Sequence, residues 1–267
     1  MKLIALFTMV IDHTGAVLNG YSLAAGRPLD AGLYYVMRSV GRAAFMLYAF
    51  FIAEGCVKTR DFGKYLFRLG LFALISEVPF DFLFENFKYA AVWRRLTFLE
   101  TGSQNVFFTL FFGALAAWLW EAKPAGAPFS RLLLSEKALP PRNLRGGIAA
   151  AADAAVNFLV SLCPAVLAWL LKTDYGAPGV AFIFLLYLLG RRGRFLQILA
   201  VLAFSVYEYW SLDRALWLIA GGWAAALLLA FYSGERGYKA KWFKWFFYAA
   251  YPAHLLILAG IFRWVVG

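Results

Sequence analysis

Long apolar blocks alternate along the chain with short stretches that carry Lys, Arg, Gly and Pro. An α-helix rises 1.5 Å per residue, so roughly 20 apolar residues in succession cover the hydrocarbon of a bilayer. Nine blocks meet or approach that length: residues 3–23, 36–57, 65–84, 106–120, 148–171, 179–189, 195–209, 216–232 and 246–266. The sixth, GVAFIFLLYLLG, is short and the seventh is marginal. These two read either as a tight helical pair or as partly re-entrant segments. The pattern predicts an all-α polytopic bundle of about nine transmembrane helices in one domain over residues 1–267, with no internal repeat.

Composition agrees: 63% of the residues are hydrophobic and 15% charged, with mean hydropathy +0.68. A soluble domain is about half apolar and a quarter charged, so this chain has too little polar surface to cover a globule. Its net charge of +11 therefore points to a bilayer partner rather than to nucleic acid. With the N-terminus in the cytoplasm, 17 of the 26 Lys and Arg residues fall on inner segments, which predicts an N-in, C-out chain in the cytoplasmic membrane. Trp93, Trp120, Trp210, Trp217, Trp242 and Trp245 cluster near predicted helix ends, as an interfacial aromatic belt does. The longest connection, about 121–147, is basic and predicts a short interfacial helix at SRLLLSEKAL. The first block lacks a small-residue cleavage site and is expected to be a retained helix. Cys56 and Cys163 show neither CxxC nor metal spacing, and no metal site is expected.

Against this apolar background the ionisable residues at membrane depth carry most of the information, because each costs several kcal/mol unless paired or hydrated. Asp12 and His13 lie about ten residues into the first block, near the bilayer midplane. Positions 5, 8, 12, 15, 16 and 19 form one small or polar face that lets helices pack closely. The other histidine of the chain, His254, also sits mid-block, beside Pro252 and three residues after Tyr251. Histidine moves protons near neutral pH, and both are candidate catalytic groups. Arg38 and Arg42 share a face of the second block, and Asp12 is the economical partner for Arg42. The alternative is a structural Asp–Arg pair with no chemistry. Glu77 lies mid-block beside Pro79, and Asn105, Thr109 and Gly113 form another polar stripe. Lys58, Lys64 and Arg68 gather at an inner edge, where they suit either a polyanion or simple anchoring. No HExxH, nucleophile elbow or P-loop is present.

Several stretches together resemble the TraX family of bacterial membrane proteins: KLIALFTMVIDHTG, GRAAFMLYAFFIAEG, KYLFRLGLFALISEVPF, NVFFTLFFGAL, Tyr175-Gly176 with Gly179, and FFYAAYPAHLLIL. The likeness covers most of the chain except the central basic loop. Met46 departs from it, standing where the pattern often has proline. The family is known for acetylating the N-terminus of conjugative pilin, so the resemblance implies an acetyl-CoA-dependent N-acetyltransferase of the bacterial inner membrane. It also looks distantly similar to heparan glucosaminide N-acetyltransferases. On that similarity His13 with Asp12, Arg42 and His254 are the implied catalytic set.

Acetyl-CoA would enter from the cytoplasm, with Lys58, Lys64 and Arg68 on its phosphates and Asn105 joining the binding or oxyanion-stabilising groups. The acceptor would be an amine-bearing peptide or small molecule. Two alternatives use the same residues: a proton-coupled transporter relaying through Asp12, His13, Glu77 and His254, and a non-catalytic assembly factor. A homo-oligomer is compatible with each.

Overall fold

The computed structural model describes residues 1–24, 26–27, 29–88, 102–122, 142–211, 216–235 and 240–266. Nine helices lie among them: α1 (Lys2–Ala24), α2 (Ala31–Lys58), α3 (Phe62–Lys88), α4 (Val106–Ala122), α5 (Arg142–Leu170), α6 (Gly176–Gly190), α7 (Arg194–Ser211), α8 (Leu216–Ala230) and α9 (Lys241–Val266). Each falls on one predicted block, most with ends a few residues longer. The uncertain sixth and seventh blocks are continuous helices of 15 and 18 residues, packed together across a tight turn. They form a helical pair. The largest shift is at α5, which begins at Arg142, so Arg142 and Arg145 are helical rather than part of the 121–147 loop. The predicted interfacial helix and Trp93 lie outside the described residues.

Among the described residues, four segments are long and apolar enough to cross a membrane: Lys2–Gly20, Ala31–Lys58, Ala151–Leu170 and Trp245–Phe262. Val106–Ala122, Gly176–Gly190 and Ile219–Ala230 are apolar but shorter. Residues that would form a soluble core instead face outward: Phe67 is 69% exposed, Phe195 70% and Phe231 79%. Inside, large side chains such as Phe50, Met46 and Tyr187 pack beside small ones that let helices approach, among them Ala43, Ala44, Ala49 and Ala53 of α2 and Ala114, Ala116 and Ala117 of α4. Large apolar residues on the outside as well as the inside suit an apolar solvent, where helices associate through close backbone approach. This is a membrane protein.

Contacts fix the direction of neighbouring helices. Lys2 opens α1 over the rings of Phe51 in α2 and Phe247 in α9. Lys58 ends α2 and donates to Gly234 O, just past α8, while Arg194 opens α7 over Tyr232. Arg191, following α6, pairs with Glu121 at the end of α4. Starts of odd-numbered helices and ends of even-numbered ones thus share one basic end. At the other end, Gln104 pairs with the turn after α5: its N–H donates to Lys172 O at 3.1 Å and its carbonyl accepts from Asp174 N at 2.9 Å. Consecutive helices therefore alternate in direction among the described residues.

α2 is the hub, packing on α1, α8, α6 and α4. Its side-chain cap is Asp30, whose Oδ1 accepts from Leu33 N at 2.9 Å. Gly41 allows α1 to approach: a methyl there would lie 2.0 Å from Asp12 Oδ1. The small face predicted on α1 is therefore a packing seam, and it delivers Asp12 against the second helix.

Candidate active site

His13 Nδ1 and His254 Nε2 lie 2.6 Å apart, linking α1 to α9 across 241 residues of sequence. The rings are near parallel, with centroids 4.9 Å apart. Phe84 of α3 and Tyr251 of α9 meet the His13 ring edge-on. His254 is 7% exposed, whereas His13 is only half-buried. The partner of the other His254 nitrogen fixes the protons: Nδ1 lies 3.1 Å from Ala250 O, and a carbonyl can only accept. Nδ1 of His254 therefore carries the hydrogen and Nε2 is the acceptor. His13 must then donate from Nδ1, which leaves the lone pair of His13 on Nε2. The sequence suggested both histidines; the geometry gives them unequal roles.

Asp12, placed with His13 in the implied catalytic set, makes its contact elsewhere. Asp12 Oδ2 accepts from Arg38 Nη1 at 2.8 Å, and this ion pair is largely buried. Arg42, the partner expected from sequence, donates instead to the Tyr175 hydroxyl at 3.0 Å and stands 3.8 Å from Glu208 Oε1. The reason is helical register. Gly41 admits Asp12 at the α1 seam, and Arg38 lies one turn back on that side, whereas Arg42 turns toward α6 and α7. Its Nε is buried without a partner among the described residues.

Tyr175 is held in place by the turn ahead of α6. Its ring stacks on Phe45 at 3.5 Å and its N–H reaches Thr109 Oγ1 at 3.4 Å. Gly179 leaves room for it, since a methyl there would lie 2.5 Å from Tyr175 Cβ and 2.8 Å from Thr109 Cγ2. That gives a physical basis for the Tyr-Gly and Gly179 pattern. Sequence reasoning passed over Tyr175 as a site residue, and missed Glu208 and Asp174 altogether. Glu208 had a signal, as an ionisable residue inside the apolar run of α7. Asp174 had none, being an ordinary turn residue until the fold sets it in the field of Arg42 and Arg38.

Asn105 does not join the other expected cofactor ligands. Its Oδ1 caps α4 by accepting from Phe107 N at 2.9 Å, and its amide donates to Ala73 O at 2.9 Å and to Glu77 Oε2. Its polar atoms are engaged at the end opposite Lys58, Lys64 and Arg68, so it holds Glu77 rather than a phosphate. Lys58 and Lys64 also have partners: Glu54 at 2.8 Å and Asp61 at 2.9 Å. Hydrogen bonds from the Lys64 backbone and side chain hold the Asp61 carboxyl below its ordinary carboxylate range. Arg68 is different. It is half-buried between Tyr65 and Tyr248, it hydrogen-bonds Tyr248 and lies in the field of Asp61, and its Nε has no partner among the described residues. No group of three His, Cys, Asp or Glu able to hold a metal occurs among the described residues.

The fold and its paired histidines define a helical membrane protein with a buried polar site. The family model for TraX protein matches residues 1–262, and the chain belongs to the TraX family. It is 28% identical over 262 residues to a protein of Dichelobacter nodosus described as probable fimbrial assembly protein FimC, serogroup H1, covering 97% of this chain and 92% of that one. No solved structure matches.

Proposed function

We propose that the protein is an acetyl-CoA-dependent transmembrane N-acetyltransferase acting on an amine acceptor, in the service of pilus or fimbria assembly. The observation that carries this is the His13–His254 contact, whose proton order leaves His13 Nε2 as an unprotonated nitrogen at half-buried depth. His13 takes a proton from the attacking amine as the N–C bond forms and the thioester C–S bond breaks; the leaving thiolate takes a proton in turn. An acyl-histidine route would use the same lone pair. Arg42 Nε and the Tyr175 hydroxyl are donors available to a tetrahedral oxyanion. Membership of the TraX family and the name of the Dichelobacter relative support the assembly role.

The basic end suits the nucleotide part of acetyl-CoA. Arg68 has donor capacity to give a phosphate, Lys2 lies across the Phe51 and Phe247 rings, and Tyr65 and Tyr248 offer aromatic faces. From Lys2 to His13 is eleven residues of helix, roughly 16 Å along the axis, a span for the pantetheine arm. Binding is expected to weaken as salt rises, because phosphate contacts near a surface are screened. Arg68→Ala should weaken acetyl-CoA binding about tenfold or more, roughly 1.4 kcal/mol, whereas Lys64→Ala should change it little, since Lys64 already neutralises Asp61. Calorimetry on purified protein checks both. Absence of acetyl-CoA binding by the wild type would favour the proton-coupled transporter.

The orientation we propose places the basic end in the cytoplasm of the inner membrane. Reporter fusions after Arg60, Arg145, Arg192 and Lys241 should all read cytoplasmic. A periplasmic signal after Arg192 alone would mean that α6 and α7 do not cross.

A further inference from the structure

Between α7 and α8 lies an open groove of about 450 Å³ on the outer surface of the bundle. Ile198 and Leu202 line it from α7, and Trp223, Ala226, Leu227 and Ala230 from α8. Ala226 is buried and forms the floor, while Trp223 and Leu227 are 59% and 62% exposed and rise at the rim. Trp223 stands at the middle of α8, away from the helix ends where an interfacial tryptophan sits. An apolar groove of this kind holds no water, and left empty it would forfeit dispersion contacts along its whole lining. At membrane depth the filler at hand is an acyl chain.

A cation stands at the end of the groove. Arg194, Ile198 and Leu202 follow one another at four-residue intervals and so share one stripe of α7. The Arg194 guanidinium lies 5.1 Å from the centroid of the Tyr232 ring, two residues past Ala230. It also rests against Gly234, where a methyl would lie 3.0 Å from Nη2 and where φ is +76°, a conformation that favours glycine. Lys58 and Tyr232 take the two oxygens of the neighbouring Glu54. Arg194 thus has a fixed place and no ion-pair partner among the described residues.

We propose that the α7–α8 groove and Arg194 form a binding site for an anionic phospholipid of the leaflet at the basic end. One acyl chain lies along the groove and the phosphodiester sits on Arg194. A planar guanidinium offers a phosphate two parallel N–H donors, a geometry an ammonium lacks. From Arg194 to Leu202 is eight residues of helix, roughly 12 Å along the axis, so head and chain meet one continuous surface. A zwitterionic lipid brings its own cation to the phosphate and gains less from Arg194, so the site selects lipids of net negative charge. None of its residues belongs to the proposed acetyl-transfer chemistry, and the site stands apart from that reading.

The test uses the full-length protein in nanodiscs of equal parts phosphatidylglycerol and phosphatidylcholine with matched chains. Native mass spectrometry then counts the lipid each protein molecule keeps on release. The wild type should keep one phosphatidylglycerol, favoured over phosphatidylcholine by roughly fivefold, the factor one cation near an anionic bilayer surface contributes. Arg194→Gln should bring that preference close to one, and Arg194→Lys should retain part of it. Ala230→Phe, at an exposed position, fills the groove and should release the lipid although Arg194 remains. Lys64→Gln removes an exposed cation at the same end but outside the groove and should leave the preference unchanged. An equal loss in Lys64→Gln and Arg194→Gln would mean diffuse surface attraction and overturns the site. Equal retention of both lipids by the wild type, or an undiminished preference in Arg194→Gln, overturns it as well. A lipid-free dimer that falls to monomer in Ala230→Phe would make the groove a contact between two copies of the chain and also overturns it. The wild-type comparison stands even where a variant fails to fold.

Discussion

His13→Ala is expected to abolish acetyl transfer while leaving acetyl-CoA affinity almost unchanged. General base catalysis by one positioned side chain contributes roughly 10²–10⁴-fold, and here the removed nitrogen is the one that the proton order leaves basic. Affinity should persist because the phosphate contacts lie at the basic end, eleven residues of helix from the histidine. His254→Ala should cost less. It removes the acceptor that holds His13 Nδ1–H, so the His13 ring loses its tautomer and orientation but keeps its lone pair. His254→Asn, whose amide oxygen can still accept, should recover part of that loss. The measurement is single-turnover acetyl transfer, with acetyl-CoA binding followed in parallel. A stable, fully active His13→Ala protein would sink the mechanism. Residual transfer that vanishes only when His254 is also removed would move the chemistry to α9.

The two histidines also mark how far the sequence could be read. Their depth follows from counting residues into apolar blocks, and the helices that carry them stand close to where those blocks predict. What counting could not supply was which faces meet. Asp12 and His13 are neighbours in sequence but point about 100° apart on a helix. Asp12 turns into the α2 seam, whereas His13 meets α3 and α9. Adjacency suggested an acid–histidine pair, and the helix period separates them. The same limit hid Glu208. Its position inside α7 was visible, but only the packing of α2 against α6 and of α6 against α7 brings it to Arg42. Asn105 shows a different limit. A polar residue at a helix start is explained by capping before any ligand is invoked, and the capping bond to Phe107 N uses its oxygen.

Asp12→Asn should act first on stability and only second on chemistry. The ion pair it breaks is close, 2.8 Å, with side-chain exposures of 24% for Arg38 and 15% for Asp12. Removing one partner of a buried pair costs about 3–5 kcal/mol because the other charge is left uncompensated. With Arg38 about a quarter exposed, the lower end of that range, about 3 kcal/mol, is expected. Asp12→Leu combined with Arg38→Met removes both charges and should restore most of the thermal stability, since an apolar replacement of a buried pair is often neutral or better. Activity should separate the two effects. The double variant keeps His13 and His254, so the proton-transfer pair is intact. Its kcat should therefore stay close to that of the wild type. If Asp12 instead oriented the imidazole, the stable double variant would lose kcat as severely as His13→Ala, and the division between a packing carboxylate and a histidine-held base would be wrong.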